Sequence, residues 1–162
     1  MEEDRSKLPF RKNCEGYFTD HLRNILAKKS EQGIIMFPGG GIDEGESVEE
    51  GMKREAFEEA GVKIKDLKFL RKINIIWGKD WAKTDKQKKR FSLFQGDDMH
   101  FFSGKIEEIK ENKGEEDYWG ENKTMPLSEA IKIVELTKDL DESTKEYRQV
   151  QLSLLRELEK NL

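Results

Sequence analysis

The residues with most chemistry to offer lie in SVEEGMKREAFEEAG, residues 47–61. Turned at about 100° per residue, Val48, Met52, Ala56 and Ala60 make one apolar stripe. Glu59 projects between Val48 and Met52, Glu55 stands at the stripe's margin, and Glu58 lies one step further on the same side. Three carboxylates at i, i+3 and i+4 therefore share a partly buried sector, where like charges raise one another's pKa unless a cation neutralises them. Mg²⁺ or Mn²⁺, hard ions that prefer oxygen ligands, suit such a cluster. Arg54, four residues from both Glu50 and Glu58, offsets part of the charge. A charged helix laced by ion pairs is the competing reading in a chain this rich in Lys and Glu. The preceding stretch, FPGGGIDEGES over 37–47, favours the metal. Glycine loops at helix N-termini usually cradle anions, but three acids make this one a poor anion cradle. It reads better as half of a cation site, contributing backbone carbonyls and the Glu46 carboxylate.

These groups need a helix and a strand to position them. Ser47 and Glu50 form a capping box and Gly61 is a natural stop, which bounds the helix. The apolar run Gly33 to Phe37, ending at Pro38, reads as the strand that delivers the glycine loop. Cys14 to Thr19 and Asn24 to Lys28 are strand-like around the turn Asp20 to Arg23. After the helix come β-rich runs at Val62 to Leu70, Lys72 to Trp77, Phe91 to Gln95 and Met99 to Ile109. Between them, the basic segment Lys79 to Arg90 reads as a mobile loop, and Lys110 to Asn122 as an acidic one. One helix begins near Leu127 and buries Ala130, Ile131 and Val134. Another starts at the capping box Ser143 to Glu146, with Tyr147, Val150, Leu154, Leu155 and Leu158 on one face. The order predicts an α/β (α+β) sandwich with a mixed sheet, one domain over 1–162 with a polar leader at 1–13 and an amphipathic helix at 143–162.

From Gly40 to Val62 the spacing is G-x5-E-x7-R-E-U-x-E-E-x-G-U, with Ala56 the smallest residue at an aliphatic (U) position. It resembles the signature of the Nudix hydrolases at every fixed position. The resemblance implies an α/β/α sandwich with a loop-helix-loop catalytic motif. The implied activity is divalent-metal-dependent hydrolysis of a nucleoside diphosphate linked to another group. Carried over by position, Glu58 and Glu59 would be the principal metal ligands, helped by the Gly39 carbonyl and Glu46. Glu55 would be a ligand or would accept a proton from the attacking water, and Arg54 would orient Glu55. A further base or metal ligand is sought among the acids of 114–121, with Glu116 the first candidate. PGGG before the signature points within the family to a nucleoside triphosphate, ordinary or oxidised, giving a monophosphate and pyrophosphate. ADP-ribose or a nucleotide sugar comes second. A non-catalytic nucleotide-binding module is the alternative from another class, and RNA 5′-end processing is a reading carried by the basic segment. Many relatives are dimers, so a homodimer is a possible assembly.

Composition narrows the partners. Charged residues make up 40 % of the chain, but 30 basic against 34 acidic leave a net charge of -4, so nothing global favours nucleic acid or membrane. The lone Cys14 excludes an internal disulfide and suits a reducing compartment, and no signal-like run opens the chain, so the expected location is cytoplasmic. Trp81 and Trp119 sit in polar stretches where a large ring is out of place, which makes them the candidates for stacking on a base.

Overall fold

The computed structural model describes residues 4–110, 119–120, 123–139 and 141–162. Glu116 and most of the acidic segment lie outside these residues.

Period-two alternation organises the sheet. On β1 (Phe10–Thr19), Cys14 and Phe18 join one buried cluster while Tyr17 joins the other. On β7 (Gly96–Ile109), Phe102 goes with the first cluster and Met99 and Phe101 with the second. Both faces are thus apolar, and both are covered. Helix α1 (Val48–Ala60) closes one face through Met52, Ala56 and Ala60. Helices α3 (Leu127–Leu136) and α4 (Glu142–Asn161) close the other through Leu127, Ala130, Ile131, Val134, Leu154 and Leu155. The result is the α/β/α sandwich that the Nudix resemblance implies.

The main sheet has the order β6-β7-β1-β2-β8, where β2 is Asn24–Leu26, β6 Val62–Ile76 and β8 Thr124–Pro126; the glycine strand β5 (Gly39–Gly41) also pairs with β1. The β1–β7 pair is parallel, from Phe10↔Gly96 to Thr19↔Lys105, and its neighbours are antiparallel, so the sheet is mixed. A two-stranded ribbon, β3 (Lys28–Lys29) and β4 (Ile35–Met36), lies apart.

Four local expectations change. The strand expected from Cys14 starts at Phe10, inside the stretch read as a leader, because residues 10–13 pair with β7. The two runs after α1 are one strand, β6, with register shifts between Lys65/Lys68 and Phe69/Arg71. The basic segment is not all loop: Asp85–Leu93 is helix α2, capped by Thr84 and Gln87 in a full capping box. Phe91 to Leu93 are therefore helical rather than extended, since the cap sets the local conformation where apolar periodicity is weak. The C-terminal helix is capped by Asp141, which accepts from the Thr144 N–H, two residues before the expected Ser143. Among the described residues no helix is long and apolar enough to cross a membrane.

Candidate active site

Helix α1 is placed by its ends. The Ser47 hydroxyl accepts from the Glu50 N–H, and Gly61 at φ 65 turns the chain out in the left-handed conformation. The stripe then packs down, and its neighbouring carboxylates face the glycine strand. Each glycine of 39–41 is there for space. A Cβ on Gly39 would strike the Cys14 carbonyl, one on Gly40 would lie 2.6 Å from Glu55 Oε1, and one on Gly41 2.5 Å from Arg11 Nη2. The loop is bare so that one carboxylate and one guanidinium can lie against it.

Arg54 organises the acids. Its Nε and Nη2 hold both oxygens of Glu46 at 2.8 and 3.1 Å, while Nη1 reaches Glu55 at 3.0 Å and Glu58 at 3.1 Å. Nη2 also donates to the Gly41 carbonyl at 3.0 Å, tying the helix to the loop. The Arg54 guanidinium, first by its hydrogen bond, holds Glu46 below the usual carboxylate range. Glu46, expected among the metal ligands, is thus engaged on Arg54, and its Oε1 also accepts from the Asp43 N–H. Glu50, four residues from Arg54, answers to Ser47 instead.

Glu59 and Glu55 face a cavity of about 610 Å³. Glu59 Oε1 accepts from the Gly39 N–H at 2.9 Å, and the Trp119 ring N–H also donates to its carboxyl group. Burial still pushes Glu59 up to about 8, with the charge of Glu55 adding to it. Glu55 is raised too, chiefly by burial, against the pull of Arg54. The two carboxyl groups lie close enough that each raises the cost of charging the other. A cation joining such a pair favours its full ionisation near neutral pH. Among the described residues no three His, Cys, Asp or Glu side chains stand as a ready ligand cluster. The donor set here is nevertheless all oxygen, it borders an open cavity, and burial makes its negative charge costly until a cation offsets it. The residues fit such a cation.

Trp119, expected on a base, is 9 % exposed, packs in the α1-side core and has its ring on Glu59. Trp81 stacks on Trp77, ring centroids 3.8 Å apart and 1° from parallel, in a second cavity of about 270 Å³. The two cavities share Arg11, Asn13, Arg90, Met99 and Tyr147 and so form one cleft. Arg11, Lys86 and Arg90 line it, and none makes a side-chain hydrogen bond or ion pair among the described residues. Burial and the nearby Arg90 hold Arg11 below the usual arginine range. Sequence reasoning missed all three of these cations as a group. By pattern Arg11 falls in the polar leader, and Lys86 and Arg90 in the basic loop, whereas β1 places Arg11 and α2 places Lys86 and Arg90 along the cleft. The Thr84–Gln87 capping box was the available signal. Cys14 is 1 % exposed and burial pushes its thiol to about 12, leaving it a packing residue.

A sequence profile described as NUDIX domain matches residues 19–147. The RNA pyrophosphohydrolase of Vibrio atlanticus is 45 % identical over 51 residues, 32 % of this chain and 30 % of that one. That of Actinobacillus succinogenes is 50 % identical over 46 residues, 28 % of this chain and 23 % of that one. The aligned stretch is thus under a third of each curated relative. Among solved structures, the Ap4A hydrolase of C. elegans is similar in fold, with a TM-score of 0.56 and 16 % identity, over 93 % of this chain and 97 % of that one. With its sandwich, its carboxylate helix and a profile match across most of its length, this chain belongs to the Nudix family.

Proposed function

We propose that the chain is a divalent-metal-dependent pyrophosphohydrolase that cleaves the diphosphate bond of a nucleoside diphosphate-linked substrate. Its preferred substrate is a nucleoside triphosphate, ordinary or oxidised, split into a monophosphate and pyrophosphate. One observation carries this reading: a single cleft holds two desolvated carboxyl groups, Glu55 and Glu59, together with three cations, Arg11, Lys86 and Arg90, that make no side-chain hydrogen bond or ion pair among the described residues. A polyphosphate is the ligand whose charge answers the second set while its metal answers the first.

Glu55, Glu58 and Glu59 with the Gly39 carbonyl would hold Mg²⁺ or Mn²⁺, which supplies charge neutralisation at the phosphoryl oxygens and a lowered pKa for water. The chain's own groups do the positioning. Arg11, Arg90 and Lys86 bind the phosphates. Glu55 is the acceptor for the proton of the attacking water, and Arg54 fixes its carboxylate from behind while keeping Glu46 as the second anchor of the loop. Trp119 holds Glu59 in place, and Trp81 offers the base a ring.

Incubation with Mg²⁺ or Mn²⁺ and a panel of nucleoside triphosphates, ADP-ribose, nucleotide sugars and 5′-triphosphate RNA tests the reading through the phosphate and pyrophosphate released. Pyrophosphate from a free triphosphate is expected. Calorimetric binding of a nucleotide with no turnover of any substrate would overturn the enzyme in favour of a binding module. Release of pyrophosphate from RNA alone would move the assignment to RNA 5′ ends, a second reading favoured by the basic face that α2 brings to the cleft.

A further inference from the structure

Beyond the carboxylates, the smaller cavity is built for a particular shape of ligand. Its aromatic wall is preset. Trp77 is 4 % exposed, Trp81 lies parallel on it, and the Trp81 N–H donates to the Gly78 carbonyl at 3.1 Å, closing a turn that holds the ring there. Its polar wall is Asp97, which sits beside Arg11 in the parallel β1–β7 register. Asp97 Oδ1 accepts from Asn13 Nδ2 at 3.3 Å and Oδ2 from the Trp77 ring N–H at 3.1 Å. The Asn13 amide is itself fixed, because its oxygen accepts from the Cys14 N–H at 2.9 Å. The carboxylate is therefore locked in orientation from both sides.

An ionised carboxylate has about four acceptor sites and no donor. Two are used, one on each oxygen, which leaves one on each. The remaining fork matches an aromatic ligand that presents two adjacent N–H donors along one edge. Among nucleobases that edge belongs to guanine, through its ring N1–H and exocyclic amine. Adenine and cytosine present a donor beside an acceptor, and uracil or thymine a single donor between two acceptors.

Resting on the reaction proposed above, we propose that this cavity is the base subsite and that Asp97, aligned by Asn13 and Trp77, makes the enzyme select guanine nucleotides. Trp81 supplies the stacking surface. Arg11, which lines both cavities, spans from the base end to the phosphates lying toward Glu55 and Glu59. A base held at Asp97 thus fixes which end of the polyphosphate reaches the carboxylates.

The test is tryptophan fluorescence quenching without metal, titrating GMP, IMP and AMP. GMP is expected to bind at least about tenfold more tightly than AMP, in line with the discrimination a good two-bond base contact gives. IMP, which keeps N1–H but lacks the amine, should fall between. Asp97→Asn should bring the GMP and AMP affinities to within about twofold, since an amide offers one donor and one acceptor. Trp81→Leu should weaken both and Trp81→Phe should keep the order. AMP binding as tightly as GMP, IMP matching GMP, or Asp97→Asn retaining the preference would each overturn the assignment. The IMP comparison uses the unaltered chain, so it decides even if a variant does not fold. Hydrolysis of all bases alike would sink the base subsite and leave the reaction standing. Selective GMP binding with no hydrolysis under Mg²⁺ would do the reverse.

Discussion

Burial next to another carboxyl group makes the charge on Glu59 costly, and that same fact separates its role in stability from its role in catalysis. Glu59→Gln keeps an oxygen for the Gly39 N–H and removes a charge that burial disfavours. It should lower kcat by more than the roughly 100-fold typical of losing an outer-shell partner of a metal, while calorimetric Tm without metal stays level or rises. A rate within a few-fold of the parent would show that Glu59 is not a ligand. Arg54 predicts the opposite balance. Arg54→Lys cannot reproduce a planar fork shared among Glu46, Glu55, Glu58 and the Gly41 carbonyl. It should cost about 2 kcal/mol in urea unfolding, from carboxylates left without their partner, and should reduce kcat through a misplaced Glu55. The carboxylates and Arg54 were legible because an acid inside an apolar stripe is a local contradiction that spacing alone exposes. Arg11 and Asp97 were not, since each is an ordinary charged residue until the sheet sets them side by side.

At the scale of elements, α1 announced itself with a capping box, an apolar stripe and a left-handed glycine, whereas α2 offered only its cap. No residue of α2 is buried, so it has no stripe to read, and a mean over its charges looks like loop. That makes its cap decisive: Thr84→Ala should cost about 1 kcal/mol of local stability. The helix should fray, and the effect should appear as a raised KM for nucleotide with kcat little changed, because in the proposed reaction Lys86 and Arg90 bind phosphate rather than react. The glycine strand predicts a different kinetic signature. Gly40→Ala pushes a methyl group into Glu55 and should lower kcat with little change in KM. The strand's pairing with β1 was beyond sequence reading, as three glycines have no β propensity and pair only because a side chain would not fit.

At the scale of the whole molecule, the link between layers is Glu15. It lies on the floor of the larger cavity, 6 % exposed, and accepts from Tyr17 on its own strand and from Tyr147 and Gln151 on α4. Burial raises it from the ordinary 4.5 to about 7, with the hydrogen bonds from Tyr17 and Gln151 pulling the other way. Between these values the unfolded chain is ionised and the folded chain is not, so the folded state binds the extra proton and stability falls as pH rises. Above about 7 both states are ionised and the loss stops. The full effect is about 3 kcal/mol. Urea midpoints should fall from pH 5 to 7.5 in the parent more than in Glu15→Gln; equal slopes would remove Glu15 from the account. The sandwich itself was legible, because alternating apolar residues on both faces of the strands call for two covering layers. The buried acid was not, since Glu15 alternates in register with core residues and only α4 makes it a joint.

The parallel pairing of β1 with β7 has a kinetic side. It joins residues 10–19 to 96–105, so the cleft is stitched from two stretches separated by nearly half of the chain. Helix α1 and its capped ends can form early and locally, but the floor beneath them exists only after that long loop closes, the slow kind of contact. During synthesis the acidic helix must therefore wait, complete in itself, for a strand made some fifty residues later. Nucleotide binding should return in refolding with the slowest structural phase, as the last property the chain acquires.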